Sequence, residues 1–150
     1  SFFDEEDENN EIVDEAMKKA DIYQYKNKIF SHLSGGEKQR VMIARAFAQK
    51  TNVLLLDEFT SHLDPGHTQS LMKLIQESVK EEENTVISVF HDINLASLYS
   101  NRIILFDKGK IVIDGKPEEV ISEKYLKEIY NFNGLILKHP IYEVPQVIYY

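Results

Sequence analysis

Residues 32–58 read HLSGGEKQRVMIARAFAQKTNVLLLDE, and the fold follows from how this stretch divides. Its last part, Val53 to Leu56, is a wholly apolar run after Thr51 and Asn52 that stops abruptly at Asp57 and Glu58. A short apolar run with polar ends is the pattern of a strand buried on both faces of a parallel sheet. The first part sets a serine and two adjacent glycines directly before a strong helical pattern, in which Val41, Ile43, Ala44, Phe47 and Ala48 make the apolar face. A capping box accounts for Ser34 and Glu37, because the serine hydroxyl and the glutamate carboxylate each satisfy a helix-end N–H. It does not account for Gly35 and Gly36. A helical glycine costs roughly 0.5–1 kcal/mol relative to alanine. What the pair provides is a tip without side chains, where an anion reaches free backbone N–H groups and the positive end of the helix dipole. The pattern predicts a phosphate-binding helix start.

Working outward, Ile12, Val13, Ala16, Met17 and Ala20 share one helical face, which predicts a helix from near Asn10 to Ala20. The acidic run DEEDENNE before and within it, residues 4–11, reads as solvated surface. A mixed linker, DIYQYKNKIFSH, joins this helix to the glycine pair. Downstream of Glu58, Leu71, Leu74, Ile75 and Val79 mark an amphipathic helix entered through Asp64, Pro65 and Gly66. TVISVF, residues 85–90, repeats the buried-strand pattern and stops at His91 and Asp92. Ala96, Leu98 and Tyr99 continue into a short helix, and IILF from Ile103 opens a hairpin turned by Asp107, Lys108 and Gly109 into Ile111 to Ile113. Two short helical segments follow Pro117. Residues 135–150, with Pro140 and Pro145 among aromatics, read as an irregular or edge-strand tail covering a sheet edge. Alternating strands and helices define an α/β architecture with parallel strands.

Composition narrows the function classes. The chain has 150 residues, 43% hydrophobic and 28% charged, which suits one globular domain or a part of one. With 17 Lys and Arg against 25 Asp and Glu, the formal charge of −8 repels phosphate backbones, so nucleic acid is not expected as a partner. There is no cysteine, which excludes disulfides, thiolate zinc sites and cysteine nucleophiles. No apolar run reaches the roughly 20 residues that cross a bilayer, and the acidic start is unlike a secretion signal. Any membrane role is expected through partners.

Open parallel sheets bind ligands beyond the carboxyl ends of their strands, where Asp57, Glu58 and His91 all fall. An acidic residue after a buried strand can hold Mg²⁺, which favours few carboxylates together with phosphate oxygens and water. A second carboxylate beside it could deprotonate an attacking water. The plainer alternative, Asp57 capping the strand and Glu58 a surface charge, stays open on these residues alone. His32, His67 and His139 read as isolated, with no partner at metal-ligand spacing.

LSGGEKQR at 33–40, VLLLDE at 53–58, SHLD at 61–64 and the single His91 after a strand, in this order, resemble an ABC-type ATPase, the nucleotide-binding subunit of ATP-driven transporters. The stretch HDINLASLYSNRIILFDKGKIVIDGKPEEVI, residues 91–121, is similar to the subgroup importing iron-siderophore, haem or cobalamin. The resemblance implies a P-loop NTPase core of the RecA-like type with part of the helical signature subdomain. Leu33 to Glu37 match the signature motif, Asp57 and Glu58 the Walker B pair, Ser61 to Asp64 the D-loop and His91 the switch histidine. In such proteins two copies pair head to tail, and the signature serine and glycines of one bind the γ-phosphate of ATP held by the other. By that resemblance Ser34, Gly35, Gly36 and Glu37 act across an interface, Asp57 holds Mg²⁺, Glu58 is the general base, His91 contacts the γ-phosphate, Ser61 belongs to the nucleotide-binding set and Asp64 couples the two sites. The implied partners are a second ATPase subunit and integral membrane permease subunits, with the protein peripheral on the cytoplasmic face.

The family pattern is not met everywhere. Phe59 stands where proline is usual, which predicts a looser Glu58 backbone, and His62 stands where a small residue is common and reads as a surface histidine. No G-x-x-x-x-G-K-S/T occurs, and the Gly-Lys pairs at Gly109 and Gly115 do not lie between a strand and a helix. The resemblance thus covers the later half of a family domain: residues 1–50 as partial helical subdomain, 51–134 as the C-terminal part of the ATPase core and 135–150 as a tail. In the family the phosphate-loop strand lies between those matching 86–90 and 103–106. Its absence predicts direct pairing of these two segments, filling by another chain, or a poorly packed core. Such a chain alone is expected not to hydrolyse ATP appreciably. A second reading is a non-catalytic split or degenerate module that lends its signature helix to a complete partner. A third, a DNA-repair or chromosome-maintenance ATPase, requires a coiled-coil insertion that residues 41–52 are too short to contain.

Overall fold

The computed structural model describes residues 2–61, 63–82, 84–131 and 134–150. His62 lies outside the described residues. The chain forms two compact units, Ser1–Val89 and Phe90–Tyr150.

In the first unit, helix α1 spans Phe2–Lys19, so it begins well before Asn10, and the acidic run lies inside the helix. Two 3₁₀ turns, Tyr23–Tyr25 and Phe30–His32, occupy the linker. Helix α2, Gly35–Ala48, follows Ser34 and buries Ile43, Ala44 and Phe47. Arg40 of α2 donates through Nη1 to the Ala20 carbonyl at 3.0 Å, satisfying an acceptor just past the end of α1. Strand β1, Val53–Asp57, pairs in parallel with β2, Thr85–Val89. Helix α3, Pro65–Glu82, links them and buries Leu71, Met72, Leu74 and Ile75. Proline at the first helical position costs no hydrogen bond, since that N–H has no helical acceptor.

Burial of β1 differs from the sequence expectation. Leu54 and Leu56 are in the core, but Leu55 is 74% exposed, with Val53, Ile87 and Val89 also open on the same face. The run is apolar on both sides, yet only one side is covered.

In the second unit, helix α4 spans Ile93–Tyr99, capped by Asp92, whose carboxylate accepts from the N–H groups of Asn94 at 2.8 Å and Leu95 at 3.1 Å. Strands β3, Ile103–Asp107, and β4, Lys110–Gly115, form an antiparallel hairpin. Its turn residues Lys108 and Gly109 both have positive φ, 47° and 76°, the backbone that matches the twist of a tight hairpin. Helices α5, Pro117–Val120, and α6, Glu123–Tyr130, follow.

The tail is neither irregular nor a lone edge strand. It folds into a second hairpin, β5 Gly134–Lys138 with β6 Pro145–Tyr149. Val147 of β6 joins Ile121 and Leu126 in the buried cluster of this unit. Asn94 grips the strand from α4, donating to the Val147 carbonyl at 3.0 Å and accepting its N–H at 2.7 Å. His139 organises the connecting turn, its Nδ1 accepting from the N–H groups of Ile141 and Tyr142 at 3.2 and 3.3 Å.

The described strands thus make three two-stranded sheets, β1–β2, β3–β4 and β5–β6. Direct pairing of the segments at 86–90 and 103–106 does not occur, since β2 and β3 belong to different sheets. No described helix is long and apolar enough to cross a membrane.

Candidate functional site

The tip of α2 is built by its cap. Ser34 Oγ accepts the Glu37 N–H at 3.3 Å, and the Glu37 carboxylate accepts the Ser34 N–H at 2.7 Å. The Ser34 hydroxyl also donates to the Glu37 carboxylate, so the serine oxygen both accepts and donates within the cap. Gly35 faces open space, with nothing within 4 Å of where a Cβ would stand. Gly36 does not: its missing side chain is replaced by the imidazole of His67, whose Cδ2 would lie 2.6 Å from a Cβ there. The expectation that both glycines leave the tip bare holds for Gly35 only, because His67 packs where a Gly36 side chain would be.

The Glu37 carboxylate is held below the ordinary carboxylate range, first by the Ser34 N–H, then by the Tyr25 hydroxyl, with the Ser34 hydroxyl and then Lys28 adding smaller contributions. Its carboxylate therefore serves the cap. Because the folded-state value is depressed, the stabilisation is complete above about pH 4.5 and is lost as pH falls through the folded value. Thermal melts across that range are expected to show wild type above Glu37→Gln at neutral pH, the two converging in acid. A constant difference would refute the linkage.

At the far end of β1, Asp57 is the last strand residue, in register with Val89, and is exposed. Glu58 follows with φ of 46°, a left-handed conformation costing about 1–2 kcal/mol for an L-residue. Of the other non-glycine residues of this kind, Asp21, Lys50 and Asn131 end helices and Lys108 and Glu143 lie in hairpin connections, where that geometry is usual. Glu58 instead follows a strand that leads into a longer loop, and such strain collects at functional positions. Its backbone is held on both sides: its N–H donates to the Val89 carbonyl at 3.3 Å, and its carbonyl accepts the Ser61 N–H at 2.9 Å. Proline at 59 would drive residue 58 toward extended backbone, whereas Phe59 permits the left-handed turn, buries its ring, and accepts a hydrogen bond from Gln39 Nε2 of α2 through its carbonyl.

Asp64 caps α3. One carboxylate oxygen accepts the His67 N–H at 3.0 Å, and the other bonds His67 Nδ1. These contacts, the backbone one first, hold the Asp64 carboxyl below its ordinary range. His67 is therefore not isolated. The spacing Asp64-x-x-His67 at a helix start was the available signal, since a cap and its third residue face each other. Ser61 lies exposed in the loop between. The first unit thus brings Ser34, Gly35, Gly36 and Glu37 into one cluster with Asp64 through His67, and sets Asp57 and Glu58 together at the end of β1. His91 is exposed at the start of the second unit, two residues beyond β2.

A parallel strand ending in adjacent carboxylates and a helix opening on a capped glycine pair lie within a fold that solved ABC transporter cassettes share. Residues 2–61 match the ABC transporter family. The chain is 35% identical over 145 residues to the hemin import ATP-binding protein HmuV of Vibrio parahaemolyticus, covering 93% of this chain and 56% of that protein. It is 43% identical over 123 residues to the petrobactin import ATP-binding protein FpuC of Bacillus anthracis, covering 82% and 45%. Among solved structures, cbiO1 from Clostridium perfringens, part of the ABC transporter complex cbiONQ, aligns with a TM-score of 0.72 at 38% identity, over 82% of this chain and 49% of that one. The dimeric bacterial ABC transporter cassette MJ0796 aligns at 0.63 and 34% identity, over 71% and 46%. The chain belongs to the ABC transporter family of ATP-binding proteins. It spans about half the length of the curated relatives it matches.

Proposed function

We propose that this chain is the C-terminal part of the ATP-hydrolysing subunit of an importer for iron-siderophore, haem or cobalamin, acting at the cytoplasmic face on membrane permease subunits. In this reading residues 1–50 belong to the helical subdomain, 51–134 to the ATPase core and 135–150 to a tail, with the phosphate loop carried upstream. The observation that carries it is the open, capped tip of α2. Gly35 faces open space and admits an anion to the helix end, so the tip suits the γ-phosphate of ATP bound to a second copy.

The proposal gives the other residues these parts. Asp57 offers one exposed carboxylate, and no described group of three or more metal-ligating side chains exists, which suits Mg²⁺ shared with phosphate oxygens rather than caged by protein. When bound, Mg²⁺ would neutralise phosphate charge beside Asp57. Glu58, next in sequence, accepts a proton from the attacking water as the oxygen closes on the γ-phosphorus and the bridging oxygen leaves with ADP. His91 donates to the γ-phosphate, Ser61 belongs to the nucleotide-binding set, and Asp64 links the two sites of the dimer.

ATP-dependent dimerisation of the full-length protein, followed by light scattering, tests the reading. Gly35→Asp sets a negative charge at the tip and is expected to weaken the dimer at least about tenfold, since like charges across an interface cost several kcal/mol. Dimerisation unchanged by Gly35→Asp would overturn the assignment.

A further inference from the structure

We propose that His67 is a positioning residue that locks the glycine tip of α2 to the Asp64 loop. The inference rests on the tip being the γ-phosphate dock described above.

The two adjacent glycines serve different neighbours. Gly35 leaves space outside the chain, whereas Gly36 makes room for a side chain within it: a Cβ at 36 would meet His67 Cδ2 at 2.6 Å, Nε2 at 3.2 Å and Cγ at 3.3 Å. The ring is more than half exposed but tethered at two points. Its Nδ1 is bonded to one Asp64 oxygen while its own N–H holds the other at 3.0 Å. The imidazole is thus bonded to the carboxylate that caps α3 and lies against Gly36 of α2.

One helical turn further on, the same faces are tied again, Arg40 Nη2 donating to Ser70 Oγ at 2.6 Å. A movement of Asp64 is consequently carried to the α2 tip through the imidazole ring. His67 touches no phosphate in this scheme. It sets where Gly35 and Ser34 stand when a second molecule docks, and transition-state geometry is sensitive to displacements on the order of 1 Å.

The test uses the full-length protein, with ATP turnover measured against ATP concentration and dimerisation measured in a Glu58→Gln background. His67→Ala is expected to lower kcat about tenfold with KM within about twofold, because each copy's own ATP is held elsewhere while the docking tip is misplaced. His67→Asn, whose amide N–H can replace Nδ1–H toward Asp64, is expected to restore most of the loss. Gly36→Ala should match His67→Ala when the ring is present and add nothing in the double variant, where no ring remains to collide with the new methyl. Additive losses in the double variant would overturn the proposal. So would wild-type kcat in His67→Ala while Gly35→Asp still blocks dimerisation, an outcome that leaves the tip assignment standing. Gly35→Asp without effect would remove the tip assignment and this inference with it.

Discussion

Glu58→Gln in the full-length protein is expected to reduce ATP turnover by about 10²–10⁴, the range a positioned general base contributes, while ATP-dependent dimerisation persists. Glutamine keeps the size of the side chain and its capacity to orient water, but its amide cannot take up a proton at neutral pH. The left-handed backbone of Glu58, held by Val89 and Ser61, does not depend on the carboxylate, so the substitution removes chemistry and keeps geometry. This separates the base from the plainer role of a strand-end surface charge, whose loss would leave turnover near wild type. A single-turnover measurement on the preformed dimer shows whether the loss lies in the chemical step. Turnover within a factor of about three of wild type would leave the proton to another group.

What could be read from the sequence was what is local. The capping box, the strand ending in Asp57 and Glu58, and proline at the first position of α3 all depend on residues within about one helical turn of each other, and all are found. The start of α1 was misplaced because DEEDENNE has no apolar stripe, although an acidic run near a helix N-terminus is itself favourable. The β5–β6 hairpin was missed because Pro145 argues against a strand. In the fold it takes the first position of β6, where a missing N–H is tolerated. The contact between Gly36 and His67 joins two helices, and a pattern confined to one segment cannot show it. In the site, the motif residues were legible by type and spacing, but the sequence did not distinguish a glycine that leaves a space open from one that a neighbour fills.

Leu55→Asp is expected to be nearly harmless in this chain alone and severe in the full-length protein. Leu55 is 74% exposed, and Val53, Ile87 and Val89 lie beside it at 49%, 56% and 52% on the same face of β1–β2. Parallel strands occur almost only in sheets covered on both faces, and an apolar patch of this kind on a parallel pair marks a surface built to be covered. If the upstream half of the domain supplies that cover, an aspartate at 55 becomes a buried, unpaired charge costing about 3–5 kcal/mol. Aspartate is the informative choice because its short side chain cannot reach out to water as lysine can. In the isolated chain the same change stays at the surface and costs no more than about 1 kcal/mol, mainly through lost strand preference and proximity to Asp57. Leu54→Asp is the control: Leu54 is 4% exposed already, so it should be destabilising in both contexts. Chemical denaturation of the four proteins decides the matter, and equal effects of Leu55→Asp in the chain and in the full-length protein would mean that this face is not the seam along which the rest of the domain packs.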